Sequence, residues 1–149
     1  MFEAGCDISE ITNFLKEKLE FGIGVNKLTI IDPYFFKYDS QLSLTRGVMV
    51  ETLEGFSSLR TLEVVTSSNY QVGKKEKLEE EILDVVPNLD RINIIHVNSF
   101  HDRFWIMNDE KGFVVGTSLS GMGKKHFFVQ DNYLSENDIR VLLSLYRGN

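Results

Sequence analysis

Lys27-Leu28-Thr29-Ile30-Ile31 is a short apolar run rich in β-branched residues, and Asp32-Pro33 follows it directly. Such a run predicts a buried strand, and the Asp-Pro pair predicts its end, because proline lacks the amide hydrogen that a further ladder bond needs. Upstream, Asp7 and Glu10 have the spacing of a capping box, and apolar residues follow at helical intervals. The sequence therefore predicts a helix from about Ile8 to Leu19 and then this strand.

Helical and strand patterns alternate further along the chain. Apolar residues at helical spacing predict helices over about 44–56 and 74–86, and β-rich runs predict strands over 62–66 and 91–97. The order then changes to closely spaced strands over 104–107, 112–115 and 126–129, which we expect to pair as a meander. Ser135 caps a last helix, with Asp138 at its third position. Alternation followed by hairpins predicts an α/β fold, a three-layer sandwich with a mixed β-sheet, in one domain over 1–149.

The composition limits the class of protein. The chain has 149 residues, 42% hydrophobic and 26% charged, enough to bury a sizeable core. Cys6 is the only cysteine, which excludes an intrachain disulfide and a cysteine-based zinc site and favours a reducing cytoplasm. No apolar run approaches the roughly 18 residues of a membrane span, and Met1–Asp7 lacks the order of a signal peptide. The net charge of -6 argues against a broad nucleic-acid surface, although it allows a local basic pocket.

The triplet His101-Asp102-Arg103 carries the clearest chemistry. Residues at alternate positions of a strand share a face, so we expect His101 and Arg103 to point together and Asp102 to point to the opposite side. The planar fork of an arginine binds phosphate well. The alternative is a histidine and an arginine whose hydrogen bonds are satisfied at a sheet edge.

Residues 116–125 read Gly-Thr-Ser-Leu-Ser-Gly-Met-Gly-Lys-Lys. Glycines let backbone N–H groups approach an anion, hydroxyls add donors, and lysines add charge. We expect this segment to bind phosphate together with Arg103, and the candidate phosphate-binding residues are Arg103, Thr117, Ser118, Ser120, Lys124 and Lys125. A flexible connection that uses glycine for its turns is the alternative.

Asp32 stands at the carboxyl end of the first predicted strand, where the ligand sites of open α/β sheets collect. Its carboxylate could hold the Nδ1 proton of His101, which leaves Nε2 free, or it could orient Arg103. An ordinary strand-ending Asp-Pro turn is an equal alternative.

The segment from His101 to Lys125 resembles the signature half of the phospholipase D superfamily, whose motif is His-x-Lys, a nearby acidic residue and then Gly-Ser-x-Asn. Arg103 stands at the motif lysine, and Ser120 is nearest to the motif asparagine. Asn108 occupies the acidic position, and Asp109 follows one residue later. Over about 27–125, the chain is also similar to the phospholipase-D-like C-terminal domain that accompanies MIT domains.

The resemblance implies a metal-independent phosphodiesterase, or a degenerate one, that acts on nucleic acid or phospholipid without a cofactor. His101 would be the nucleophile, with Arg103, Ser118 and Asp32 as further catalytic residues. Because one chain carries one motif, this activity implies a homodimer that brings two His101 side chains together. The MIT-associated resemblance implies instead a noncatalytic module that binds phosphoinositide headgroups, nucleic-acid ends or a protein partner, with peripheral membrane contact possible.

Overall fold

The computed structural model describes residues 2–35, 39–67, 72–98, 100, 102–116, 129 and 133–148. Within them lie four α-helices, a short 3-10 helix (Glu20–Gly22) and five strands. The helices are α1 (Ile8–Lys18), α2 (Asp39–Leu53), α3 (Val72–Val85) and α4 (Glu136–Arg147). The strands are β1 (Lys27–Ile31), β2 (Thr61–Thr66), β3 (Arg91–His96), β4 (Phe104–Met107) and β5 (Lys111–Val114). Within these residues, we find no helix long and apolar enough to cross a membrane.

The strands form one mixed sheet in the order β3-β2-β1-β4-β5. β1 pairs with β2 in parallel, and β2 pairs with β3 in parallel, whereas β4 runs antiparallel to both β1 and β5. The predicted α/β fold with a mixed sheet is therefore confirmed. β1 has neighbours on both sides and apolar cover on both faces, which explains why its sequence is a nearly continuous apolar run.

Two apolar clusters cover the opposite faces of the sheet. Ile30 and Val64 are paired across β1 and β2, and both belong to a cluster that includes side chains of α1, α2 and α3. The next residues along these strands, Ile31 and Val65, belong to a second cluster with apolar side chains of α4. This change of cluster from one residue to the next follows the two-residue period of a strand. Burial of each such side chain contributes roughly 1.5–3 kcal/mol to folding.

The predicted elements lie close to the observed ones. α1 ends at Lys18, one residue before the predicted end, and α2 begins at Asp39, five residues before its predicted start. The expected pairing of β4 with β5 is confirmed. Of the predicted strand over 126–129, only Val129 is among the described residues, and it forms an antiparallel bridge with Val115.

The turn between β4 and β5 attaches this hairpin to the loop that precedes β1. Asn108 and Asp109 are the central residues of a β-turn closed by the Glu110 N–H, which donates to the Met107 carbonyl at 3.0 Å. Their φ values are 52° and 59°, and asparagine and aspartate are among the non-glycine residues that tolerate this region best. The Asn108 Oδ1 accepts hydrogen bonds from the backbone N–H groups of Asn26 at 2.8 Å and Lys27 at 3.1 Å. Its Nδ2 donates to the Gly24 carbonyl at 2.8 Å. One side chain therefore joins the hairpin to the loop before β1.

Candidate functional site

Two of the predicted site residues lie at the same edge of the sheet. β1 and β2 end at this edge, β4 begins there because it runs antiparallel, and β5 ends there again. Ile31 is paired with Phe104, so Asp32 and Arg103 occupy the next position on neighbouring strands, which lie about 4.8 Å apart. Gly116, the first residue of the predicted phosphate loop, follows β5 by two residues. The edge at which parallel strands end is where open α/β sheets place their ligand sites.

Asp32 forms the turn that ends β1. Its side chain is 2% exposed, and its Oδ1 accepts a hydrogen bond from the backbone N–H of Tyr34 at 2.9 Å. The hydroxyls of Thr66 and Ser67 donate to the Pro33 carbonyl at 3.2 and 3.1 Å, which ties this turn to the end of β2. Of the alternatives for Asp32, the strand-ending turn is therefore observed. A role toward His101 or Arg103 stays a prediction.

Arg103 is half-buried at the start of β4 and points its guanidinium toward the end of β5. Its Nη1 lies 3.5 Å from the Gly116 carbonyl oxygen, at the outer limit of a hydrogen bond. Its Nε is buried and has no hydrogen-bond acceptor among the described residues. The backbone around it is fixed, because the Val115 N–H donates to the Arg103 carbonyl at 3.1 Å. A guanidinium has five N–H donors, so this side chain retains the capacity to bind an anion.

Asp102 points toward α4, on the face of the sheet opposite to the one that α1, α2 and α3 cover. The Tyr146 hydroxyl donates a hydrogen bond to the Asp102 Oδ2, and the Tyr146 ring lies 5.1 Å from the Phe100 ring, centroid to centroid. Burial, and then the hydrogen bond to Asp102, raise the pKa of Tyr146 above its ordinary value. These contacts place Asp102 on the α4 side, and the shared orientation of His101 and Arg103 away from it stays a prediction.

The other predicted site residues lie outside the described residues, so their roles stay predictions. They are His101, Thr117, Ser118, Ser120, Lys124 and Lys125. His96 ends β3 at the same edge, two strands from β1, and is exposed.

The two residues near the acidic position of the motif lie far from Arg103. Asn108 and Asp109 form the hairpin turn after β4, whereas Arg103 precedes this strand. Five residue steps along a strand correspond to roughly 16 Å. Asp109 therefore has its partners at the other edge of the sheet and not in the candidate site.

Sequence reasoning missed a polar cluster under α4. Arg147 donates to the Glu63 Oε1 from Nε at 2.9 Å and from Nη2 at 2.7 Å, and to the two Asp109 carboxylate oxygens at 3.0 and 2.8 Å. Thr29 completes the cluster, because its hydroxyl donates to the same Glu63 oxygen at 3.2 Å. Hydrogen bonds from Arg147 lower the pKa of Asp109, and the hydrogen bond to Asp109 is the first cause of a raised Arg147 pKa.

One signal in the sequence could have revealed this cluster. Glu63 interrupts the apolar run of β2 and is only 6% exposed, and a buried carboxylate requires a partner. The partner comes from the last turn of α4, 84 residues later. A cleft of about 510 Å³ lies beside the cluster, between α4 and the hairpin turn, and its lining includes Asp109, Arg140 and Arg147.

The candidate site is therefore a sheet edge with one half-buried arginine, a fixed carboxylate turn and the start of a glycine-rich segment. In the described part of the chain, no group of three histidine, cysteine or acidic side chains is placed to hold a metal ion. Comparison with known proteins finds no matching family model and no curated protein of similar sequence.

Proposed function

We propose that this chain is a phospholipase-D-like domain, a three-layer sandwich that binds phosphate groups at the carboxyl edge of its sheet. The observation that carries the proposal is Arg103, which is half-buried at this edge and whose Nη1 makes only a long, 3.5 Å contact with the Gly116 carbonyl oxygen. A guanidinium has five N–H donors, so donors remain from which a phosphate oxygen would accept.

The sequence around Arg103 supports the same chemistry. Gly116 begins a segment whose glycines, hydroxyls and lysines are suited to an anion, and β5 delivers the start of this segment to the edge where Arg103 lies. The overall charge of -6 favours a local pocket over an extended nucleic-acid surface. The ligand class is therefore a compact phosphate group, on a phospholipid headgroup or at the end of a nucleic acid.

Binding is tested by isothermal titration with inorganic phosphate, a 5′-phosphorylated oligonucleotide and vesicles that contain a phosphoinositide. Loss of a charge-assisted arginine contact should weaken binding roughly 10- to 100-fold in Arg103→Ala. Arg60→Ala is the matched control, because it removes the same charge at the opposite edge, where Arg60 pairs with exposed Asp90 at 3.7 Å. Equal binding by the Arg103→Ala and Arg60→Ala variants contradicts the proposal.

A second candidate function is hydrolysis of a phosphodiester. His101, two residues before Arg103, favours it, because a neutral imidazole can attack phosphorus and form a covalent intermediate. This reaction needs a second histidine as the acid for the leaving oxygen, and a homodimer would supply it. Hydrolysis of bis-p-nitrophenyl phosphate in EDTA that His101→Ala abolishes, together with a dimeric mass in solution, would support the enzyme. A monomeric mass and no such hydrolysis would contradict the enzyme, and only the binding function would remain.

A further inference from the structure

The candidate site has an attachment to α4 that the motif does not predict. Asp102 lies between the two residues whose side chains the motif uses, and its own carboxylate accepts a hydrogen bond from the Tyr146 hydroxyl. The Tyr146 side chain is 5% exposed and belongs to the apolar cluster that joins α4 to the sheet. The Tyr146 oxygen is therefore held in place by packing and not by its own hydrogen bond alone.

Phe100 gives the segment a second contact with the same side chain. It precedes the triplet, is 8% exposed, and lies in the cluster of Tyr146 with its ring 5.1 Å from the tyrosine ring. Phe100 and Asp102 thus both face α4, and by the two-residue period Arg103, the next described residue, projects to the other side. Among the described residues, these two side-chain contacts hold the segment before β4 against α4, and the hydrogen bond from the Val115 N–H to the Arg103 carbonyl at 3.1 Å holds its backbone.

We propose that Tyr146 is a positioning residue of the phosphate site: it holds Asp102 and Phe100 against α4 and thereby orients the neighbouring Arg103 toward the carboxyl edge of the sheet. This inference depends on the proposed function, because the orientation matters to binding only if Arg103 contacts the ligand. Tyr146 itself does not touch the ligand, since it lies on the other face.

The variant Tyr146→Phe removes the hydroxyl and keeps the ring that packs on Phe100. Tyr133→Phe is a matched control, because the Tyr133 hydroxyl also makes one hydrogen bond, to the Lys18 carbonyl at 2.7 Å, in the cluster on the other face of the sheet. Both variants lose one partly buried hydrogen bond. We expect the affinity for inorganic phosphate to fall about two- to tenfold in Tyr146→Phe and to stay at the wild-type value in Tyr133→Phe.

Substitutions at Asp102 separate orientation from charge. Asp102→Asn and Asp102→Ala both remove one negative charge, but only the asparagine keeps an oxygen that can accept from Tyr146. We expect Asp102→Asn to bind phosphate several-fold more tightly than Asp102→Ala. In the Tyr146→Phe background, this difference should disappear, because the donor is absent.

Hydrogen exchange of the amides of residues 102–104 gives a readout that does not depend on the ligand. Exchange should become faster in Tyr146→Phe and Asp102→Ala and stay unchanged in Tyr133→Phe. If Arg103→Ala abolishes binding while Tyr146→Phe binds as the wild type does, the positioning role is refuted and the proposed function stands. If the wild type does not bind phosphate, the proposed function is refuted. Unchanged amide hydrogen exchange in Tyr146→Phe would refute the orientation of Arg103 by Tyr146 as well.

Discussion

Truncation of Arg147 to alanine tests the polar cluster beneath α4. The side chains of Arg147 and Glu63 are 18% and 8% exposed, so this ion pair is largely removed from water. In Arg147→Ala, the Glu63 carboxylate stays buried and keeps only the Thr29 hydroxyl, 3.2 Å away, as a donor. Asp109 loses its two hydrogen bonds as well, but its side chain is 39% exposed, so water and Lys27 at 3.6 Å replace them in large part.

The expected cost follows from the unpaired Glu63. Removal of one partner from a buried ion pair costs about 3–5 kcal/mol, and the partial exposure of Arg147 places this variant at the lower end, near 3 kcal/mol. For a chain of 149 residues, a loss of this size lowers Tm by roughly 6–12 °C. The double variant Glu63→Leu with Arg147→Met removes both charges and keeps most of the volume, so it should regain most of the lost stability.

Urea denaturation followed by circular dichroism measures these free energies, with the slope of the transition as a check on two-state behaviour. Arg60→Ala serves as the control, because the Arg60–Asp90 pair has exposures of 59% and 64% and a surface pair contributes at most about 1 kcal/mol. The reasoning is wrong if Arg147→Ala costs no more than Arg60→Ala, or if the double variant is less stable than the single one.

Three further predictions concern backbone geometry and pH. Gly22 has a φ of 78° and its Cβ would lie 2.6 Å from the Phe56 ring, so Gly22→Ala should cost about 2–4 kcal/mol in urea denaturation. Gly24→Ala, at a φ of 71° with open space around it, should cost about 1 kcal/mol; equal costs would contradict the steric argument. Asn108→Ala should lower Tm more than Asn108→Gly, because both lose three hydrogen bonds but only alanine must strain to keep the φ of 52°. The lowered pKa of Asp109 stabilises the fold above the ordinary aspartate pKa, and this stabilisation is lost as pH falls through the folded-state value. The stability difference between wild type and Asp109→Asn should therefore be present at pH 7 and shrink below about pH 4, as measured by urea denaturation at each pH.

The helices and strands of the α/β fold were predictable because each has a local signal in the sequence. The apolar run of β1 predicts a strand without reference to its neighbours, and the observed strand has the same bounds, Lys27–Ile31. Ser135 predicts the start of α4, and its hydroxyl accepts from the Asp138 N–H at 3.1 Å. The strand order carries no such local signal, because pairing of β1 with β4 joins residues more than 70 positions apart.

The site was predictable only as far as strand periodicity reaches. Alternation predicts that Asp102 lies on the face opposite to Arg103, but it does not identify what lies on that face. No sequence pattern pairs the Tyr146 hydroxyl with its acceptor, Asp102, which lies 44 residues earlier. The same holds for Glu63: a carboxylate within an apolar strand requires a partner, but the sequence does not identify that partner as Arg147. Contacts between distant elements depend on how the helix packs on the sheet, which residue spacing does not encode.

The last turn of α4 contacts the segments on both sides of β4. Tyr146 donates to Asp102, two residues before the strand begins, and Arg147 donates to Asp109, two residues after it ends. Consecutive residues of a helix project about 100° apart, so the two side chains diverge from the same turn. The backbone of β4 itself is held by its pairing with β1 and β5, and the helical turn adds side-chain hydrogen bonds just beyond each end of the strand. A change that moves this turn is therefore expected to perturb the Arg103 edge and the hairpin turn together, which couples the docking of α4 to the geometry of the proposed phosphate site.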